Sequence, residues 1–380
     1  MNDLKKKMTV PNILRWSIEL ILMTSLYFLL HSGGMKKYIL LLAVSIVLGF
    51  LGRKKKWPVE AVICVALPVF AYLLLGGLST LLSANPQMPG VKDILFWIVP
   101  MVFACALYIF FGNDMKRIVD FQFVGSCVTY LYSYKHWLQW YGKAEDSFAF
   151  VFGAFAVYYV YKKRWPLVPI AVVLMYFADK KIAFLAVAAA VAVLVFLWVF
   201  KKSKILALTI WSLGVSGIFY YIYAIHSGVL KHLCYSMGII GHGRMTMYDR
   251  FQTMYEFSPF FFGNGLGNIK NILDCWAIPT YDHLHNDLLK FYFELGFLGF
   301  LIFMISYGVT FYLAEKRFGK SQMCGLLAMA VHSMLLFMTD NVSVYVLYLV
   351  PVYSICFAMI VSEEKQSTYL RKIISRDKIK

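Results

Sequence analysis

Charged residues are scarce in this sequence. Only 15% of the 380 residues are Asp, Glu, Lys or Arg, against about 25% in soluble globular domains. The apolar set AVILMFWYC makes up 61% of the chain, so a soluble globule could not cover itself with polar surface. The same numbers exclude a disordered chain, a coiled coil and a disulfide scaffold. An integral membrane protein is the class that remains.

Cysteine motifs are also missing. All seven cysteines are single residues, without a spacing typical of metal or redox sites. Five fall inside apolar runs, where small buried side chains are expected. The other two, Cys234 and Cys275, lie in the one long polar loop. A disulfide between them stays an open alternative, which applies only if the loop lies in an oxidising compartment.

The apolar runs predict an all-α, polytopic membrane protein with about twelve transmembrane helices. A helix needs roughly 17–25 apolar residues to cross a bilayer. The first run contains Glu19 and the sixth is short, so these two are the weakest spans. The predicted spans are 16–32, 36–52, 57–77, 94–111, 117–134, 147–161, 165–179, 181–200, 205–226, 287–313, 321–339 and 343–361.

The net charge of +17 comes from short basic clusters between the apolar runs. With the N-terminus in the cytoplasm, 25 of the 37 lysines and arginines lie on the cytoplasmic side, as the positive-inside rule expects. This predicts cytoplasmic termini and no nucleic-acid partner, since the chain has no basic soluble domain. The predicted parts are nine spans in 1–226, an outer loop at 227–286, three spans in 287–361 and a basic tail at 362–380.

The loop 227–286 concentrates the polar chemistry of the chain. Five of the eight histidines lie in it or beside it, and long loops in compact proteins are usually functional or disordered. A helical pattern runs from Arg244 to Phe257, where Ser258 and Pro259 end it. Arg244 and Arg250 are about 240° apart on such a helix. One can therefore bind an anionic substrate while the other faces lipid headgroups.

Glycines alternate in the segment GNGLGN, at Gly263, Gly265 and Gly267. A phosphate-binding glycine loop is one interpretation, but the segment does not follow a strand. A tight turn that lets the backbone approach another part of the chain is the alternative.

The loop ends in Asp282-His283-Leu284-His285-Asn286-Asp287. Asn286 or Asp287 is a candidate N-cap for the tenth span, which places His285 at the mouth of that span. A neutral imidazole there can accept a proton near neutral pH. Two His and two Asp in six residues also resemble metal ligands, but no regular geometry directs all four to one point. We expect no metal, and a structural role for His285 stays open.

Two further sites contain charge at or inside the membrane boundary. Glu294 lies roughly 10 Å into the tenth span, either as a functional intramembrane acid or as the i, i+4 partner of Lys290. Lys180 and Lys181 join spans seven and eight on the predicted outer side. A helix N-terminus with two lysines suits an anion, whereas snorkelling to headgroups is the alternative.

These motifs together resemble the O-antigen polymerase and ligase family of bacterial surface-polysaccharide assembly. The resemblance lies in GHGRMTMYDRF, SPFFFGNGLGN and HLHNDLLKFYFELGFLG, over about residues 244–299. The family pattern of His-Asn, then Glu-Leu-Gly and a second Gly, is found here at His285-Asn286, Glu294-Leu295-Gly296 and Gly299. Family members often have an Arg where this chain has Lys180-Lys181, and a lysine lacks the bidentate fork for phosphate.

The resemblance implies a GT-C-like membrane glycosyltransferase without metal or cofactor, in the bacterial cytoplasmic membrane with its active site outside. The implied donor is an oligosaccharide on undecaprenyl diphosphate, and the acceptor is a sugar hydroxyl. His285 is then the candidate base. Arg244, Arg250, Lys180 and Lys181 are candidates for the diphosphate or glycan, with His283, Asn286, Asp287, Glu294, Gly263 and Gly265 in support. Membrane lipids, a chain-length regulator and a flippase are the other implied partners.

Three functions remain open at this stage. A polymerase that joins repeat units is favoured by the compact size and single outer loop of the chain. A ligase that moves the finished glycan to another acceptor uses the same chemistry. A flippase is the third, although transporters usually have repeated halves and charged or broken helices near the midplane.

Overall fold

The computed structural model describes residues 10–31, 34–52, 59–83, 91–140, 146–201, 203–238, 244–275 and 284–361. Over these ranges the chain is helical and contains no β-strand. Its α-helices are α1 (Val10–His31), α2 (Lys36–Gly52), α3 (Val59–Leu82), α4 (Val91–Phe111), α5 (Met115–Trp140), α6 (Phe148–Tyr161), α7 (Leu167–Phe177), α8 (Lys181–Val199), α9 (Lys204–His226), α10 (Val229–Ser236), α11 (Arg244–Phe251), α12 (Asn268–Cys275), α13 (Asp287–Arg317), α14 (Lys320–Phe337) and α15 (Val346–Val361).

Each predicted span coincides with one of these helices, which makes the protein a polytopic, all-helical membrane protein. In the described residues, six helical stretches are long and apolar enough to cross a bilayer, and three more apolar helices are shorter. The twelve-span count and the GT-C-like arrangement stay predictions. The largest differences are at α1, which begins earlier than predicted, at Val10, and at α3 and α5, which end later, at Leu82 and Trp140.

The helices group into two compact units, of which the first comprises residues 1–61, 99–187 and 346–380. In this unit α1 packs along α5, α6 and α7 form a hairpin, and α15 packs on α5 and α6. Every residue of α6 is buried. Glu19, the charge in the first predicted span, accepts hydrogen bonds from Arg15 (2.8 Å) and Arg117 (3.0 Å). These ion pairs explain how a carboxylate is tolerated in an apolar helix.

The second unit comprises residues 62–98 and 188–345 and contains α13 with its neighbours. There α13 packs on α14 and α9, and α12 lies against α13. A cluster of aromatic rings surrounds the first half of α13. Phe291 lies with its ring centroid 5.2 Å from that of Tyr72 and 5.4 Å from that of Trp97. This packing fixes the helix end from which the predicted site projects.

Candidate functional site

Helix α13 is broken at Gly296, and the candidate site lies around the first part of this helix. Gly296 has φ 73° and ψ 179°, which are not helical angles. A break inside a membrane-length helix leaves backbone groups without their usual partners, and in lipid these groups must be paired within the protein.

The segment from Phe261 to Gly265 supplies the missing partners. The backbone N–H of Asn264 donates to the carbonyl of Phe293 (2.9 Å), and that of Gly265 donates to the carbonyl of Glu294 (3.1 Å). On the other side of the break, the N–H of Phe297 donates to the carbonyl of Phe261 (2.9 Å). The loop segment therefore repairs the helix by three backbone hydrogen bonds.

Close approach of two backbones explains the glycines. A Cβ atom on Gly263 would lie 2.5 Å from the carbonyl oxygen of Glu294, and one on Gly265 would lie 2.8 Å from the Cα of Thr80. A Cβ atom on Gly296 would in turn contact the carbonyl oxygen of Phe261. All three have positive φ, which side chains disfavour. Of the two interpretations of GNGLGN, the close approach is the one that the structure supports.

Glu294 anchors the same segment from its side chain. It is fully buried; one carboxylate oxygen accepts from the N–H of Gly267 (3.0 Å) and the other from the hydroxyl of Tyr72. Lys290 Nζ is 3.9 Å from the first oxygen, so the predicted i, i+4 pair is present as well. The hydroxyls of Ser79 and Thr80 accept from the backbone N–H groups of Gly265 and Leu266, respectively. Glu294 therefore positions the loop.

The start of α13 is held by its own polar side chains. Asn286 is the N-cap: its side-chain oxygen accepts from the N–H of Leu289 (3.0 Å), as the sequence predicts for one of two candidates. Its amide nitrogen donates to the hydroxyls of Tyr221 (2.9 Å) and Tyr248 (3.3 Å). Asp287 is buried and accepts from both the N–H and the hydroxyl of Ser343, each at 2.6 Å. The connection between α14 and α15 is thereby fixed to the helix start.

His285 projects from this rigid junction. Its backbone has φ 52°, a left-handed conformation that is uncommon for a residue with a side chain. The Nδ1 atom lies 3.3 Å from the amide nitrogen of Asn341 and 3.7 Å from a carboxylate oxygen of buried Asp340. The side chain is 34% exposed. His285 thus combines a ring held by Asn341, a nearby acid and a partly exposed side chain.

Arg244 lies in α11 beside the hydroxyls of Tyr221, Tyr248 and Tyr345, the tyrosine cluster. Its positive charge acts on the hydroxyls of Tyr248 and Tyr345. Burial raises the pKa of Tyr248, against the lowering effects of the Asn286 hydrogen bond and of the Arg244 charge. Arg250 is exposed. The helix ends at Phe251, earlier than the predicted Phe257, and a 3-10 turn follows at Gln252–Met254.

The remaining candidate residues are not among the contacts described above. Lys180 and Lys181 belong to the first unit, where Lys180 Nζ lies 5.6 Å from the ring centroid of Phe150 and Lys181 begins α8. His283 and Asp282 lie outside the described residues. Within the described ranges no three His, Cys, Asp or Glu side chains are grouped as metal ligands, and Cys234 has a free thiol.

Asp340, Asn341 and Ser343 were not predicted as site residues. They lie more than fifty residues after His285, in the short connection between two spans. The signal available in the sequence was Asp340-Asn341 between two apolar runs, where an acidic residue at a membrane boundary needs a reason.

Gly296→Ala is expected to destabilise the protein. The positive-φ, extended conformation of Gly296 costs a residue with a side chain about 1–3 kcal/mol, and the new Cβ would contact the carbonyl of Phe261. The melting temperature of the purified protein in detergent should fall. Gly308→Ala, in the same helix, places its Cβ at an ordinary 3.6 Å from Trp211 and should leave the melting temperature unchanged or raised. Equal behaviour of the two variants would contradict the role of Gly296.

Comparison with known families supports the resemblance indicated by the motifs. No curated protein and no solved structure matches the chain. The family model described as O-antigen ligase matches residues 147–304, fewer than half of the 380 residues. The matched range contains Lys180 and Lys181, the glycine segment and the start of α13 with His285. The resemblance of this chain to the O-antigen ligase and polymerase family is confirmed by this match.

Proposed function

We propose that this protein polymerises undecaprenyl-diphosphate-linked repeat units into a surface polysaccharide at the outer face of the bacterial cytoplasmic membrane. The observation that carries the proposal is the fixed, accessible imidazole of His285 beside Asp340, with Arg244 in the adjoining tyrosine cluster. Transfer of a glycosyl group from a diphosphate to an acceptor hydroxyl requires a base for the hydroxyl proton and a cation for the leaving diphosphate. The family match supports glycan transfer in this general sense.

The proposed chemistry is direct displacement. The acceptor hydroxyl oxygen attacks the anomeric carbon while His285 Nε2 removes its proton, and the bond from that carbon to the diphosphate oxygen breaks. Attack opposite the leaving group inverts the anomeric configuration. The diphosphate leaves with its charge stabilised by Arg244, and direct attack by the acceptor forms no covalent enzyme intermediate.

Asp340 has a positioning role in this proposal. A carboxylate close to Nδ1 favours a proton on that nitrogen, which leaves Nε2 as the unprotonated base. The distance of 3.7 Å is longer than a hydrogen bond, and such contacts often shorten once substrate is bound. The side-chain amide of Asn341 lies 3.3 Å from the same nitrogen, and when Nδ1 carries the proton this amide presents its oxygen to the ring, by a flip about its terminal torsion. The buried connection that carries both residues is in turn fixed through Asp287 and Ser343.

A second candidate function is ligation of a finished glycan to another acceptor. The description of the matching family, O-antigen ligase, favours it. Both reactions use the same donor and the same catalytic groups, so only the acceptor separates them.

The purified protein is expected to lengthen a defined undecaprenyl-diphosphate oligosaccharide in a membrane-mimetic assay without added divalent cation. Products would be resolved by mass spectrometry. Lipid-linked glycans that grow by whole repeat units support the polymerase. Transfer only to an added lipid A core would establish the ligase instead, and movement across a vesicle membrane without bond formation would exclude both.

His285→Ala should lose about 10²–10⁴ in turnover, the typical contribution of a general base, with donor binding retained. Asp340→Asn should lower kcat more than it alters KM and should change the pH profile of kcat, because the carboxylate no longer favours the proton on Nδ1. His232→Ala, on an exposed histidine of the same loop, serves as the control and should remain active. Near wild-type turnover by purified His285→Ala would move the base elsewhere.

Arg244→Ala is expected to weaken donor binding more than Arg250→Ala does. A charge-assisted contact to phosphate contributes about 1.5–3 kcal/mol, and Arg244 lies in the tyrosine cluster whereas Arg250 is exposed. Arg244→Lys should recover only part of the loss, since the planar fork is missing. Titration with the lipid-linked donor measures the effect. A larger loss from Arg250→Ala would assign the diphosphate to the other face of α11.

A further inference from the structure

Helix α10 has an unusual surface for a helix in a polar loop. None of its residues is buried. Val229 is 46% exposed, Leu233 48%, and Met237, at the C-cap, 63%. Apolar side chains exposed together on one element mark an interaction surface more often than isolated ones do.

These three side chains lie on one side of the helix. At about 100° per residue, Val229, Leu233 and Met237 fall within about 80° of arc. Leu230 and Cys234, both partly exposed, extend the apolar side. Polar and amphipathic residues occupy the remainder, which comprises Lys231, His232, Tyr235 and Ser236. An apolar side opposite a basic, polar side is typical of helices that lie in the membrane interface.

The position of α10 in the chain favours a lipid surface as its partner. It begins three residues after the end of α9, a helix with the length and hydropathy of a membrane span. Leu213 of α9 is 68% exposed, as a lipid-facing residue should be. Gly228, with φ 76°, turns the chain between the two helices. Helix α10 thus follows directly on the end of a span, at the level where that span leaves the membrane.

The polar side of α10 is joined to the helix that carries Arg244. Lys231 Nζ lies 2.6 Å from a carboxylate oxygen of Asp249 in α11. The hydrogen bond to Asp249 is the main cause that raises the pKa of Lys231. This contact places α11 on the side of α10 away from its apolar residues.

We propose that α10 is an interfacial helix that binds the headgroup boundary of the lipid bilayer through Val229, Leu233 and Met237. The Lys231–Asp249 pair then ties α11, with Arg244 and Tyr248, to the membrane surface. This inference does not depend on the glycan chemistry proposed above. It assigns the partner by the apolar side of α10, its polar opposite side and its continuity with a membrane span.

Photo-crosslinking in nanodiscs of phosphatidylethanolamine and phosphatidylglycerol tests the proposal. The full chain carries p-benzoylphenylalanine in place of Leu233, and intact-protein mass spectrometry detects a covalent phospholipid adduct. The matched control carries the same group in place of Tyr235, which is more exposed (62%) but lies about 160° around the helix. Replacement of Leu213 in α9 provides the positive control.

The expected result is a phospholipid adduct with the probe at position 233, in a yield similar to that at position 213. The probe at position 235 should give no phospholipid adduct. If the Leu233 variant does not fold, Met237 carries the probe, because it lies beyond the last helical turn. A dimer band or an adduct with another protein at Leu233 would overturn the lipid assignment. Equal adducts at Leu233 and Tyr235, or none at Leu233 when Leu213 reacts, would overturn it too.

Discussion

The hydrogen bonds between the Phe261–Gly265 segment and the broken helix α13 are the constraint on which the site depends. A backbone break in a membrane-spanning helix is stable only if the protein itself pairs the freed groups, and here the loop pairs them at 2.9–3.1 Å. Because a Cβ at Gly263 or Gly296 would occupy the same space, the two glycine motifs form one structural requirement. The loop is thereby held to the helix that presents His285.

A second set of contacts fixes the start of that helix. Asn286 caps α13 and bonds to two tyrosines, one from α9 and one from α11, while Asp287 bonds to Ser343. Polar groups this deeply buried cost free energy unless each is paired. With both neighbours engaged, His285 is the residue of the His-Asn-Asp sequence that stays accessible. The rigid neighbours give the imidazole a defined orientation toward Asp340 rather than a freely rotating one.

Much of this could be predicted from sequence because the signals are local. Apolar runs gave the helices, and the order of His285, Asn286 and Asp287 before a span gave the cap. Asp340 and Ser343 were missed because they are separated from this cap by more than fifty residues. The same holds for Tyr72, whose hydroxyl bonds to Glu294 across 222 residues. Side-chain periodicity contains no information about such pairs, or about the backbone hydrogen bonds between the 261–265 segment and α13 at the break.

For Glu294, the contacts in the structure decide between the roles that the sequence left open. An acid inside a span is a functional candidate by default, and the sequence left it divided between catalysis and a pair with Lys290. Its oxygens accept hydrogen bonds from Gly267 and Tyr72 and lie near Lys290. Both oxygens therefore have structural partners. A carboxylate engaged in this way is poorly placed to accept a proton from a substrate hydroxyl. The base is therefore better sought at His285, where one ring nitrogen faces an acid and the ring remains accessible.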